Sequence, residues 1–260
     1  MAMVTGASSG IGEAYADRLA REHWDLVVVA RRRERLQELA SRLTSEHGVG
    51  VRVIEADLSN VSQLTALAAE AAELELELLV NNAALAHYMP FAELPPETAQ
   101  ALVELNVLAP VLMTRSVLPS MVERGVGSVV NVASLLAFSG GWAEPQWPRR
   151  AVYAGSKSFL VTFTQALASE LRETGVRVQV VCPGLVRSEF HSRQGMDLSA
   201  VQRMEPGAVV QASLLDLERE TVVCIPGARD ESALEAIVDA QRELQGTTRV
   251  VELPERYATS

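Results

Sequence analysis

Tyr153 and Lys157 stand four residues apart in the stretch YAGSK. On a helix that spacing sets a phenol and an ammonium on one face. A phenol with a pKa of about 10 is a poor acid–base group at neutral pH, and a cation one turn away stabilises its anion. The pair is therefore suited to general acid/base work. Nineteen residues before Tyr153, Ser134 closes the apolar run GSVVNVAS and offers a hydroxyl. A further candidate is Asn106, in VELNVLAPVLMTRSVLP, which precedes Pro110 by four residues. Proline has no N–H, so the Asn106 carbonyl loses its helical partner and can take a water or a cation instead.

A second kind of chemistry lies at the start of the chain. TGASSGIG, Thr5 to Gly12, follows a short apolar run and opens an amphipathic one. Gly6, Gly10 and Gly12 permit a tight turn and close approach of backbone to a pyrophosphate. Ser8, Ser9 and Ile11 complete that turn. The free N–H groups of a helix start then favour the negative charge. The next apolar run ends VVVARRRERL, with Arg31 and Arg32 where an acidic residue would hold a ribose 2′-hydroxyl. Two guanidinium groups suit a 2′-phosphate instead, which predicts NADP(H) over NAD(H).

These groups need a scaffold, and the pattern supplies one. Seven β-branched runs, AMVT, DLVVVA, VRVIEA, LELLVNN, GSVVNVAS, VRVQVVCPG and TVVCIPG, alternate with helical stretches after each of the first six. Near-continuous apolar strands with that alternation predict an α/β fold. The expected architecture is a single-domain Rossmann fold, a doubly wound seven-stranded parallel sheet with helices on both faces. One domain is read over 1–260, with a polar substrate-loop region at about 187–206 and a C-terminal helical extension at about 228–260.

Composition narrows the function classes. The formal net charge of −10 disfavours a nucleic-acid surface, and 48% hydrophobic residues suffice for a sizeable core. Cys182 and Cys224, the only cysteines, lie in strand-like runs and read as buried thiols, with no metal site. No uninterrupted apolar run reaches membrane length, about 18 residues, and MAMVTG lacks the features of a leader. A cytoplasmic protein without membrane partners is expected.

The ordered set of motifs resembles the short-chain dehydrogenase/reductase family, classical type, over roughly residues 2–227. The G-x-x-x-G-x-G spacing of the turn is similar to that family's nucleotide turn. Asp57-Leu58 resembles the pair that contacts adenine. NNAA, Asn81 to Ala84, resembles N-N-A-G with Ala84 for glycine, so Asn82, Ala83 and Ala84 are expected at the cofactor. CPGLVRS is similar to the loop beside the nicotinamide, which implicates Pro183, Gly184, Val186 and Ser188, the last where threonine is more usual.

By that resemblance Asn106, Ser134, Tyr153 and Lys157 form a catalytic tetrad for reversible hydride transfer. Ser134 polarises the carbonyl and Tyr153 exchanges its proton. Lys157 holds the ribose, lowers the tyrosine pKa and, like Tyr153, touches the cofactor. Asn106 supports a proton relay. The implied reaction is NADPH-dependent reduction of a ketone or aldehyde, in a homodimer or homotetramer paired through the helices holding Asn106 and Tyr153. A non-catalytic NADP(H)-binding regulator, or mainly alcohol oxidation, are the alternatives.

The substrate side is apolar. Leu135, Phe138, Trp142, Trp147, Tyr88, Leu185 and Phe190 suit a hydrophobic or aromatic carbonyl compound, with His87 and Met89 as further candidates. The step from Ser134 to Tyr153 is longer than the resemblance implies, so SGGWAEPQWPRR is expected to bulge at the site mouth. Trp142 or Trp147 would then line the substrate entrance or a subunit contact, and the loop at 139–150 would be a lid, a wall or an interface.

Overall fold

In the computed structural model of the chain, residues 1–141, 149–249, 251–252 and 257 are described. Trp142 and Trp147 lie outside them. By its internal contacts the chain divides into two compact units, Met1–Pro226 and Gly227–Ser260. The first holds the sheet. The second holds the region read from sequence as a helical extension, and contains the amphipathic helix α8, Ser232–Gly246.

Within the first unit strands and helices alternate as expected: β1 Ala2–Thr5, α1 Gly10–Arg21, β2 Leu26–Ala30, α2 Arg33–His47, β3 Val51–Glu55, α3 Val61–Ala72 and β4 Leu78–Asn81. Then come α4 Pro96–Val103, α5 Ala109–Arg124, β5 Gly127–Val132, α6 Ala151–Glu170, β6 Val176–Val181, α7 Pro206–Glu218 and β7 Val223–Cys224. Among the described residues the seven strands form one sheet in the order β3-β2-β1-β4-β5-β6-β7, every pairing parallel. The order reverses between β1 and β4, which opens a crevice at their carboxyl ends.

Both faces of the sheet are buried, which explains the near-continuous apolar strands. Ala2, Val4, Val28 and Val80 face one side, with Tyr15 and Leu19 of α1, Leu36 of α2 and Val209 of α7. Met3, Val27, Val29 and Leu79 face the other, with Leu64 of α3, Met113 of α5 and Leu167 of α6. A buried polar ladder ties the second layer to the sheet. Asn81 donates to Thr114 at 3.1 Å and to Asn131 at 2.9 Å, and Asn131 donates to Thr164 at 2.9 Å. Each amide in low dielectric finds its partner, so the ladder fixes α5 and α6 against β4 and β5. Those two helices flank the residues whose chemistry matters.

Between α4 and α5 the chain widens into a π-helical turn, Glu104–Leu108, where the Ala109 N–H donates to the Glu104 carbonyl. Pro110 follows directly, so the missing N–H is absorbed by a change of helical register. The continuous run Pro96–Arg124 is long and apolar enough, by length and composition, to cross a membrane. Its Leu102, Asn106, Met113, Val117 and Met121 are nonetheless buried in the domain.

Candidate active site

The crevice at the carboxyl ends of β1 and β4 deepens into a cavity of about 700 Å³. One wall is the glycine-rich turn, with Gly6, Ser8, Ser9, Gly10 and Ile11 lining it. Ser9 begins α1 from an extended conformation, and its side chain does not cap the helix. The first N–H groups of α1 are thus left to an incoming anion. Gly12 does not line the cavity. A Cβ there would lie 2.4 Å from the Gly6 carbonyl oxygen and 2.5 Å from Asn82 Nδ2, so glycine is required for the helix to close on its own turn. Asn82 holds the turn from the other side, donating to the carbonyls of Thr5 at 3.0 Å and Gly6 at 3.2 Å. Ala84 sits outside the left-handed region, so replacing the glycine of the resembled motif costs no backbone strain.

The two arginines after β2 part ways. Arg31 is largely exposed and lies 3.7 Å from Asp57. Arg32 is folded inward: its Nε and Nη2 reach the Ser8 hydroxyl at 3.1 and 2.8 Å, and Nη2 also reaches the Ser8 carbonyl and the Ser9 hydroxyl, each at 2.9 Å. A guanidinium fixed against the turn, beside uncapped helix N–H groups, fits a nucleotide carrying an extra phosphate. Asp57, Leu58, Asn82, Ala83 and Ala84 line the same cavity, as do Pro183, Gly184, Val186 and Ser188.

At the deeper end stand Ser134, Tyr153 and Lys157. Two backbone bonds pin the tail of β5 to that of β6: Ala133 N–H to the Val181 carbonyl at 2.7 Å, and Leu135 N–H to the Pro183 carbonyl at 2.9 Å. They carry Ser134 into the cavity, where its hydroxyl accepts from Leu136 N–H at 3.2 Å. Tyr153 and Lys157 occupy the first turns of α6 as the four-residue spacing requires. Lys157 is 1% exposed and its ammonium donates to the Val132 carbonyl at 2.8 Å, lying 5.8 Å from the centre of the Tyr153 ring.

Burial acts on both titrating groups. It pushes Lys157 down to about 8. It raises Tyr153 above the usual phenol range, Tyr88 adding to the rise and a Ser134 side-chain hydrogen bond opposing it. In this structure the phenol therefore lies opposite in direction to the lowering expected from its lysine neighbour. Desolvation dominates because both groups sit in the same low-dielectric pocket.

Asn106 is fully buried but does not line the cavity. Its side chain clamps the chain after β4, accepting from Leu85 N–H at 2.9 Å and donating to the Leu85 carbonyl at 2.8 Å. It also donates to Ser156 of α6 at 3.1 Å. The side chain, rather than the carbonyl singled out from Pro110, makes these connections.

The apolar wall gathers Leu135, Phe138, Tyr88, Leu185 and Phe190 in the same cavity. The rings of Tyr88 and Phe190 flank Tyr153 at centroid distances of 6.2 and 6.0 Å. His87 and Met89 lie elsewhere, in a small recess of about 10 Å³ that Tyr153 also borders. Residues not singled out from sequence also line the cavity, among them Arg150, His191, Arg193, Met196 and Leu198. The last four belong to the irregular 187–206 stretch, whose polarity and lack of period marked the region but not its members.

A family model for short chain dehydrogenase matches residues 1–199. The chain belongs to the short-chain dehydrogenase family. As a short-chain dehydrogenase it is an oxidoreductase acting between CH–OH and C=O groups. It is similar to a short-chain dehydrogenase from Sphingobium yanoikuyae in complex with NADPH, with a TM-score of 0.92 and 34% identity over 98% of this chain and 99% of that one. The bulky-bulky ketone specific alcohol dehydrogenase from Comamonas testosteroni gives a TM-score of 0.88 at 31% identity, covering 99% and 98%. In sequence, the short-chain dehydrogenase is 30% identical over 234 residues to a very-long-chain 3-oxoacyl-CoA reductase of Anas platyrhynchos, spanning 87% of this chain and 72% of the relative.

Proposed function

We propose that the chain is an NADPH-dependent carbonyl reductase acting on bulky, apolar ketones or aldehydes. The observation that carries this reading is the single cavity in which Arg32 and the glycine turn stand at one end and Ser134, Tyr153 and Lys157 at the other. NADPH, when bound, supplies the hydride. Arg32 and the α1 N-terminus would hold its phosphates, and the Lys157 ammonium its ribose.

The protein's own groups then manage the proton. A phenol raised by burial stays protonated through the neutral range, which suits donation to the oxygen of a carbonyl undergoing reduction. The Ser134 hydroxyl, at the end of β5, fixes that oxygen beside Tyr153. Lys157, near 8, keeps most of its charge at neutral pH and stabilises the phenolate left after donation. Asn106 keeps α6 and the chain after β4 in register, and is the candidate for the relay that returns a proton to Tyr153.

The apolar wall of Tyr88, Leu135, Phe138, Leu185 and Phe190 supports a hydrophobic substrate, and a related enzyme described as specific for bulky-bulky ketones supports bulk on both sides of the carbonyl. Placement in the cytoplasm and assembly as a homodimer or homotetramer belong to the same proposal. Phe159 and Phe163 stack on α6 at 5.7 Å, with Phe159 exposed, which supports pairing through that helix. NADPH consumption against a panel of aryl and branched alkyl ketones tests the reading. Turnover confined to small polar aldehydes would remove the substrate assignment.

A further inference from the structure

Glu189 carries no role in the chemistry above, yet three guanidinium groups converge on it. Its carboxylate accepts from Arg32 Nη1 at 3.0 Å, from Arg35 Nη1 at 2.7 Å and from Arg193 Nη2. Arg35, in the first turn of α2, and Arg32 come from the candidate nucleotide end, while Glu189 and Arg193 come from the irregular stretch between β6 and α7. The arginines hold the Glu189 carboxyl down to about 2, the Arg35 hydrogen bond most strongly, so it is an anion at every working pH.

The geometry at Arg32 makes this pairing consequential. Its Nε and Nη2 are committed to oxygens of Ser8 and Ser9, and Nη1 goes to Glu189. An anion arriving at Arg32 meets a carboxylate already on the free edge of the fork. The backbone of the stretch is closed at its base by Arg187 N–H to the Met204 carbonyl and Met204 N–H to the Leu185 carbonyl, each at 2.9 Å. Ser188 abuts the turn, since a Cβ on Gly10 would lie 3.0 Å from its own Cβ. Phe190 and His191, the two residues after Glu189, belong to the cavity wall.

We propose that Glu189 is a cofactor-specificity residue, an internal stand-in for the 2′-phosphate that competes with it for Arg32 and Arg35. The inference rests on the NADPH reading above. Entry of the phosphate displaces the carboxylate and releases residues 189–203 from the nucleotide end. Because Phe190 and His191 follow directly, the substrate wall is set only after the phosphorylated nucleotide is in place. A nucleotide without the 2′-phosphate leaves Glu189 on its arginines and the wall unreleased.

Two measurements on the full chain test this, both independent of turnover. The first is titration of NADPH, NADH and 2′,5′-ADP against wild type, Glu189→Ala and Arg32→Ala. Removing one competing exposed carboxylate should tighten NADPH and 2′,5′-ADP about three- to tenfold and leave NADH unchanged. Weaker NADPH binding by Glu189→Ala, or equal shifts for NADPH and NADH, would overturn the proposal. Arg32→Ala separates the two levels: if it leaves NADPH affinity unchanged, the NADPH reading itself fails, whatever Glu189 does. The second is hydrogen exchange of peptides within 187–205. Exchange should rise in wild type on adding 2′,5′-ADP, and be high in Glu189→Ala without it. Protection by 2′,5′-ADP in wild type, with Glu189→Ala exchanging like unliganded wild type, would show that the carboxylate does not hold the segment.

Discussion

The ammonium of Lys157 donates to the carbonyl of Val132 at 2.8 Å, joining the second turn of α6 to the last residue of β5. Ser134 lies two residues beyond that carbonyl, and Tyr153 one helical turn before the lysine. The bond therefore fixes the distance between the two groups proposed to share the substrate oxygen. It also explains how a cation survives almost wholly out of water, since a buried ammonium needs a partner for its donors.

That burial has a pH signature. Lys157 sits near 8 in the folded chain, below its ordinary value of 10.5, so between those limits the unfolded chain binds a proton that the folded one lacks. Stability assigned to this residue accordingly rises as pH climbs from about 8 to about 10, and is lost as pH falls through 8. In urea unfolding, the wild type should gain on Lys157→Met across that window and run parallel to it between about pH 6 and 7. A gap that closes in the opposite direction would mean that the lysine is not desolvated.

Gly12 is fixed by space rather than by chemistry. An added methyl group meets the Gly6 carbonyl and the Asn82 amide, neither of which can retreat without moving the turn. Gly12→Ala should cost about 1–3 kcal/mol of stability by overpacking, and should weaken NADPH binding because the turn shifts. Unaltered urea midpoint and NADPH affinity together would show that the turn has slack.

Asn106 supplies both partners of the Leu85 backbone. Asn106→Ala leaves a donor and an acceptor unpaired beside the site, at a cost of about 2–4 kcal/mol. Denaturant unfolding reads this directly. A midpoint within error of wild type would show that water replaces the amide at no cost.

The strand–helix alternation and the sheet were legible because strands buried on both faces must be apolar throughout, and β-branched runs announce them. The glycine turn and the Tyr153–Lys157 pair were legible because their spacing acts locally. Pro110 marked a break, but whether it would free a carbonyl or widen the helix depends on how the neighbouring turns share hydrogen bonds, and the π-helical turn is the outcome. Arg31 and Arg32 read alike in sequence. Only the fold shows one beside Asp57 and the other locked on Ser8. Glu189, His191 and Arg193 were hidden because an irregular segment has no period: Glu189 is placed by Arg32 and Arg35, more than 150 residues earlier in the chain, His191 stacks on Tyr88, and Arg193 is held by Glu189 itself. The direction of the Tyr153 shift is not legible from sequence for a related reason: spacing reveals the neighbouring charge but not the depth of burial.

Tyr153 is the proposed proton donor in an NADPH-dependent reduction, and the direct measurement is NADPH oxidation with a bulky aryl ketone by wild type and by Tyr153→Phe, alongside NADPH affinity for each. Expected is turnover by wild type and a loss of at least about 100-fold in Tyr153→Phe with NADPH affinity retained. A wild type that binds NADPH but turns over none of a broad ketone panel, or a Tyr153→Phe variant that keeps the full rate, would contradict it.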